Sequence, residues 1–289
     1  MKNYQLSPTL QPDTKLWRYM SLDKFIDIID SEELYFTPLS YYSKSDPYEG
    51  LLPRIILDAF SNVIRDSFDD IRGKIQPFLD IIEERRNKGI IISDKDEINL
   101  QKLTRMIDEH LPKIEEGYFT VMSSVTVNCW HQNDFESEGM WRLYSDDNKG
   151  IAIQTSVQSL IDAISTDEHI AINEVKYIDY FDDKLTVGDC ITNGRTIPYL
   201  KRKSFAHEKE VRLSITPKLT PENIDNHIPK GIRVKISPAK LIEKIYISPY
   251  VSQPYPSAIL ALIKKYHIDE NRLVNSNLLT VDSKLLKIF

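Results

Sequence analysis

The spacing of apolar positions changes several times along the chain, and each change marks an element. Leu16-Trp-Arg-Tyr-Met20 reads as a short strand. Ser21 then caps a helix with Leu22, Phe25, Ile26 and Ile29 on one face. Glu33 to Thr37 is a second strand closed by Pro38, and Asp46-Pro47 with Gly50 punctuates the loop that follows. From about 53 to 116 the period becomes helical: Ile56, Phe60, Val63, Ile64, Phe68 and Ile71, then Phe78, Leu79, Ile81 and Ile82. A break is expected at Gly89 and a last helix near Asp94 to His110. Strands return from Tyr118 to Trp130, where Val121, Val125 and Val127 are β-branched. Further strands are expected at 151–154, 173–180, 201–215, 232–236, 241–247 and 273–281, with helices at 157–164 and 258–265. Strands with segregated helices predict an α+β fold with a mixed, mainly antiparallel sheet. The whole chain, 1–289, reads as one domain with a helical insertion at about 53–116.

Composition narrows the class. Hydrophobic content is 41% and charged content 28%, ordinary for a globular protein. The net charge of −6 gives no general attraction to nucleic acid or to anionic membrane. Cys129 and Cys190 are too few for a disulfide framework and lack metal-type spacing, which points to a reducing, cytoplasmic setting. No apolar run approaches the ~20 residues of a membrane helix, so no membrane partner is expected. No glycine-rich phosphate loop and no His-Glu-x-x-His arrangement occur, so no bound metal is expected.

The stretch Lys203-Ser-Phe-Ala-His-Glu-Lys-Glu-Val-Arg212 carries the densest candidate chemistry. On a strand, Glu208, Glu210 and Arg212 would share one face while Val211, Leu213 and Ile215 fill the other. A solvated sheet face would carry the same pattern. The preceding Lys201-Arg-Lys203 and His207 make it a titratable cluster beside an apolar strand. Arg18, between Trp17 and Tyr19, suits a planar or phosphorylated ligand. Asp46 and Glu49 offer two carboxylates in one loop, and Trp141 and Tyr144 share a helical face that could stack on a base.

The order of these motifs resembles a bacterial family known as domain of unknown function 2971. The resemblance is carried by Trp17-Arg-Tyr19, Leu34-Tyr-Phe-Thr-Pro38, Ser45-Asp-Pro-Tyr-Glu49, Cys129-Trp130, Met140-Trp-Arg-Leu-Tyr144, Lys149-Gly-Ile-Ala-Ile153, Val175-Lys-Tyr177 and Lys203…Arg212, over roughly residues 16 to 282. Phe205 stands where that family often has tryptophan. The resemblance implies an effector role near phage-defence or mobile-element genes. The chain is also similar to ADP-ribosyltransferases at Arg18, as a first-strand NAD contact, and at Glu208-Lys-Glu210, as the late catalytic pair; Thr37, Ser40 and Tyr144 are options for the middle element.

From this likeness the leading expectation is ADP-ribosyl transfer or NAD glycohydrolysis in phage defence or toxin activity, with NAD as substrate and a protein or nucleic-acid acceptor. Glu210, Glu208 and Arg18 would carry catalysis. Tyr19, Asp46, Glu49, Trp141, Tyr144, Lys203 and Arg212 would bind the nucleotide. One alternative is a Mg²⁺-dependent nuclease using Asp46, Glu49, Glu208 and Glu210. Another is a non-catalytic module that senses a ligand or a phage protein.

Overall fold

A strand that changes partner halfway along its length organises the site. In the computed structural model, residues 3–89, 120–195, 197–218 and 227–281 are described, with positions 93, 98, 102, 105 and 117 between them. The fold is α+β, and its large sheet is mainly antiparallel. β1 (Tyr4–Leu6), β2 (Lys15–Ser21) and β3 (Glu33–Pro38) open the chain, with α1 (Leu22–Ser31) between β2 and β3. The long α2 (Arg54–Asn87) follows, then β4 (Thr126–Gln132) and the short α3 (Glu138–Tyr144). Next come β5 (Gly150–Ser156), α4 (Val157–Ala163), β6 (Ile164–Ser165), β7 (Ile170–Glu174), β8 (Lys176–Ile178), β9 (Leu200–Arg202) and β10 (Glu210–Ile215). β11 (Ile232–Ile236), α5 (Pro238–Leu241), β12 (Lys244–Ile247), α6 (Tyr255–Lys265) and β13 (Leu273–Asn275) complete it.

The main path through the sheet is β1-β7-β10-β4-β2-β5-β12-β13. Alternation along β2, β5 and β10 puts Leu16, Met20, Ile151, Ile153, Val211, Leu213 and Ile215 on one face. There they pack against Phe25, Ile28 and Ile29 of α1, Val157, Leu160 and Ile161 of α4, and Ile259 and Ile263 of α6. Each such buried side chain contributes about 1.5–3 kcal/mol. The inward stripe of α1 includes Ile28, while Leu22 and Ile26 are only partly buried.

One edge of β4 serves two neighbours. His131 and Gln132 pair with Trp17 and Leu16 of β2, whereas Thr126 and Val127 pair with Pro38 and Thr37 of β3. The sheet therefore forks, and α1 bridges the two tines. In the gap the backbone of β4 needs other partners. The Cys129 carbonyl of β4 accepts from Arg18 Nη1 at 3.1 Å, and across the gap the Asn128 side-chain amide donates to the Tyr35 carbonyl of β3 at 3.0 Å.

Several elements differ from those the pattern predicts. The stretch just before β4 is helical through Ser124, not extended; Ser123 and Ser124 turn their hydroxyls back onto the Thr120 carbonyl, and the strand starts at Thr126. The predicted strand 173–180 is two strands, β7 and β8, separated at Val175, whose N–H turns to the Glu210 carbonyl. α2 continues through Pro77 and the charged run 83–87, and Ile56 is its one buried residue among those described. The helix expected near Asp94 to His110 lies outside the described residues, apart from single positions. Among the described residues no helix is long and apolar enough to cross a membrane.

Candidate functional site

A cavity of about 590 Å³ opens at the fork. It is lined by Arg18 and Tyr19 of β2, Asp46 and Glu49, Cys129 and His131 of β4, Tyr144 of α3, and Lys201, Glu208, Glu210 and Arg212. Its size suits a nucleotide-scale ligand.

β10 supplies the centre. Arg212 lies opposite Cys129 and Glu210 opposite His131, so their side chains and those of β4 emerge on the same face. Arg212 is 2% exposed, which makes its partners obligatory. Its guanidinium grips Glu49 through two bonds, 2.7 and 3.0 Å, and Glu210 Oε2 through two more, 3.1 and 2.7 Å. Nη1 also donates to the Pro198 carbonyl at 2.7 Å. Lys201 of β9 donates to Glu208 at 2.5 Å and lies 3.5 Å from Glu49 and 3.6 Å from Glu210. Three carboxylates thus share two cations.

Glu208 is not part of the strand. It ends a tight 3₁₀ turn, Lys203–Glu208, and Lys209 follows in the left-handed region at φ 41°. The alternation expected across Glu208, Glu210 and Arg212 holds only from Glu210 onward, because that left-handed residue reverses the chain between the two glutamates. The turn nevertheless brings Glu208 over Lys201, beside Glu210.

The two glutamates are electrostatically unlike. Burial alone would raise the Glu210 carboxyl, but Arg212 and Lys201 overcome it and hold the pKa down at about 2. The Cys129 thiol donates to it as well, and burial pushes that thiol far above its usual range. Glu208 is pushed up, by burial first and then by the charge of Glu210. Stability follows from these directions. Glu210 contributes stability that is present above its ordinary value of 4.5 and lost as the pH falls through about 2. A depression of that size is worth of the order of 3 kcal/mol. Glu208, raised, works in the opposite sense and offsets part of it. We expect the urea midpoint of the wild type to fall more steeply between pH 4.5 and 3 than that of Glu210→Gln. Parallel curves would mean that Glu210 is not held ionised.

Arg18 is the odd charge of the site. Among the described residues no carboxylate pairs with it, and its one hydrogen bond goes to the Cys129 carbonyl. Its guanidinium also sits 5.8 Å from the Trp130 ring centre. Burial lowers its pKa, and Cys129, Tyr42 and Tyr144 oppose that only in part. Tyr42 and Tyr144 are themselves pushed up by burial, so both remain neutral phenols. An under-compensated guanidinium in a cavity is a receptor for an anion.

Most of the residues singled out in the sequence converge here, though not all do so as expected. Glu49 is delivered to Arg212 by the Asp46–Glu49 turn, in which Glu49 N–H bonds to the Asp46 carbonyl at 3.0 Å. Gly50 follows at φ 76°, where a Cβ would meet Leu39 at 3.2 Å. Asp46 accepts from Arg202 at 2.6 Å and from the Tyr48 N–H at 3.0 Å, so it serves the turn as well as the wall. Tyr19 lines the cavity with its ring while its hydroxyl accepts from the Ser137 N–H.

Trp141 and Lys203 do not line the cavity. Trp141 is fully buried, edge-on to Tyr19, with its Nε1 donating to Glu136. Gly150 lies under its ring, where a Cβ would come within 3.2 Å of the indole and 1.9 Å of Ser145 Oγ. Lys203 is exposed at the start of the 3₁₀ turn and makes no ion pair with the network among the described residues. The sequence placed Lys201 in the titratable cluster but gave it no role, and Cys129, Tyr42 and His131 were not among the expected site residues. Lys201-Arg202 preceding an acidic pair was the available signal for the first; the others enter through strand register, which is non-local.

Among the described residues no group of three or more His, Cys, Asp or Glu side chains is arranged to hold a metal ion. Lys201 and Arg212 stand between the carboxylates that a nuclease reading would assign to Mg²⁺.

Comparisons with curated proteins and with solved structures give no match. A family model does match, over residues 140–213, from the Met140-Trp-Arg-Leu-Tyr144 helix to the strand that carries Glu210 and Arg212. Over that stretch, which supplies Tyr144, Lys201, Glu208, Glu210 and Arg212, the chain is similar to the family described as protein of unknown function DUF2971.

Proposed function

We propose that the cavity binds NAD and that the protein transfers or hydrolyses its ADP-ribosyl group. One observation carries this reading: a guanidinium without a carboxylate partner among the described residues, Arg18, and a carboxylate held ionised, Glu210, line the same nucleotide-sized cavity. Arg18 would take a phosphate of the dinucleotide. The bond from the ribose C1′ to the nicotinamide nitrogen then breaks, its electron pair leaving with nicotinamide. Positive charge develops at C1′ and the ring oxygen, and the Glu210 carboxylate stabilises it. The hydrogen bonds that Arg212 donates to Glu210 both go to Oε2, the oxygen that Lys201 also approaches, so Oε1 is the oxygen to meet the developing charge. Water or another acceptor attacks C1′ and passes its proton to Glu208, whose raised pKa makes it the stronger base of the pair.

Support for a metal-dependent nuclease is weaker, because Lys201 and Arg212 already engage Glu49, Glu208 and Glu210. In the defence or toxin setting that the family resemblance implies, loss of NAD or a modified acceptor would be the output.

The test is incubation of the wild type with NAD in excess EDTA, following free nicotinamide and the transfer of labelled ADP-ribose. Nicotinamide release, with or without an adduct, is the expected result. Binding of NAD without turnover would replace this reading by a sensing module, and nucleic-acid cleavage abolished by EDTA would replace it by the nuclease.

A further inference from the structure

His131 is the group at the site for which the reaction above has no use. It stands on β4 opposite Glu210 and beside Trp17 of β2, and it is 3% exposed. Its Nδ1 lies 2.6 Å from the carbonyl oxygen of Glu208. A carbonyl only accepts, so Nδ1 carries the proton. Burial lowers the pKa of the ring; the bond to the Glu208 carbonyl works against that, Lys209 and His207 work with it, and the net lowering favours the neutral imidazole with Nε2 bare. Nε2 is buried and, among the described residues, has no hydrogen-bond partner. A buried bare acceptor is unfavourable, and a phenyl ring would avoid it. The histidine is therefore in place for its one donor.

That donor acts at the point where the chain turns. Glu208 ends the 3₁₀ turn, Lys209 is left-handed, and Glu210 starts β10. The Gln132 N–H holds the Lys209 carbonyl at 2.9 Å, and the Tyr177 hydroxyl accepts from the Glu210 N–H at 2.8 Å. The His131 bond fixes the carbonyl just before them. We propose that His131 is a positioning residue: by gripping the Glu208 carbonyl it sets the left-handed turn that stands Glu208 beside Glu210 over Lys201. The charged and titratable groups facing the Glu208 carboxyl are Lys201 of β9, Glu210 and Arg212 of β10, Tyr144 of α3 and Tyr177 of β8. The catalytic meaning of this placement rests on the NAD reading; the placement itself does not.

The experiment separates the two. The Glu208 carboxyl is followed by ¹³C NMR titration, assigned with Glu208→Gln, in wild type, His131→Phe, His131→Asn and His131→Gln. Asparagine carries its N–H close to where Nδ1 stands, whereas glutamine carries it near Nε2 and phenylalanine has none. We expect Glu208 to titrate as in wild type in the asparagine variant. In the other two it should titrate closer to an ordinary carboxylate, because it is released from Glu210. With NAD, kcat should fall roughly tenfold or more in the phenylalanine and glutamine variants, with KM within about threefold, and should recover with asparagine. Unchanged titration of Glu208 in a folded phenylalanine variant overturns the proposal. If phenylalanine does not fold, the asparagine and glutamine variants decide it, and equal behaviour of those two overturns it. If no variant and no wild type consumes NAD, the functional reading fails, while the titration still decides the role of His131.

Discussion

Arg212→Met should lower the thermal midpoint by roughly 10 °C. The guanidinium makes five bonds inside the protein, four to Glu49 and Glu210 and one to the Pro198 carbonyl. Methionine fills much of the same space and removes all five. Two carboxylates, with side chains 2% and 11% exposed, would then share Lys201, which lies 3.5 and 3.6 Å away and is already bonded to Glu208. Breaking a buried ion pair from one side costs about 3–5 kcal/mol, because the remaining charge is stranded. For a chain of this size each kcal/mol moves the midpoint by about 2–4 °C. Arg212→Lys should recover little, since a point charge cannot span two carboxylates as a planar fork does. The double variant Arg212→Met, Glu49→Leu should recover part of the loss, because an apolar pair strands one carboxylate fewer. A melt of Arg212→Met within about 2 °C of wild type would show that the network is loosely held and solvated.

This network explains how far the sequence could be read. Period-two alternation identified β10 and the apolar face of Val211, Leu213 and Ile215, all of which are buried in the core. It also placed Glu210 and Arg212 together, since alternation is local and survives any tertiary context. The same alternation misread Glu208, because nothing about lysine announces the left-handed conformation of Lys209. Trp141 and Tyr144 illustrate a different limit. Helical spacing put them on one face, but the face is wide enough to divide. Trp141 turns to the core over Gly150, and Tyr144 reaches the cavity at 42% exposure. The fork in the sheet left no local trace. It depends on β4 serving β2 at one end and β3 at the other, a register among residues 88 to 116 positions apart in the chain. Arg18 shows this most clearly. Its place in a Trp-Arg-Tyr strand was plain, but that it caps an unpaired carbonyl in a gap was not.

Glu210→Gln should reduce NAD consumption about a hundredfold to a thousandfold in kcat, with KM within a few-fold. Glutamine keeps the size of the side chain and an oxygen for Arg212, so the cavity keeps its shape. What it removes is the fixed negative charge, which is needed only when C1′ becomes cationic. An interaction made in the transition state and not in the ground state is lost from kcat and not from KM. A preorganised group that meets developing charge is worth that range of rate. Arg18→Ala should divide the other way. If its guanidinium meets a phosphate that is charged throughout the reaction, KM should rise about tenfold to a hundredfold while kcat changes little, the loss expected for a charge-assisted hydrogen bond. Initial rates of nicotinamide release for the two variants, each checked against wild type by thermal melt, test both claims together. Equal losses in kcat and KM for both variants would mean a collapsed site. A Glu210→Gln protein that turns over NAD as fast as wild type would leave Glu210 as a counter-ion for Arg212, and the ion network would then be architecture alone.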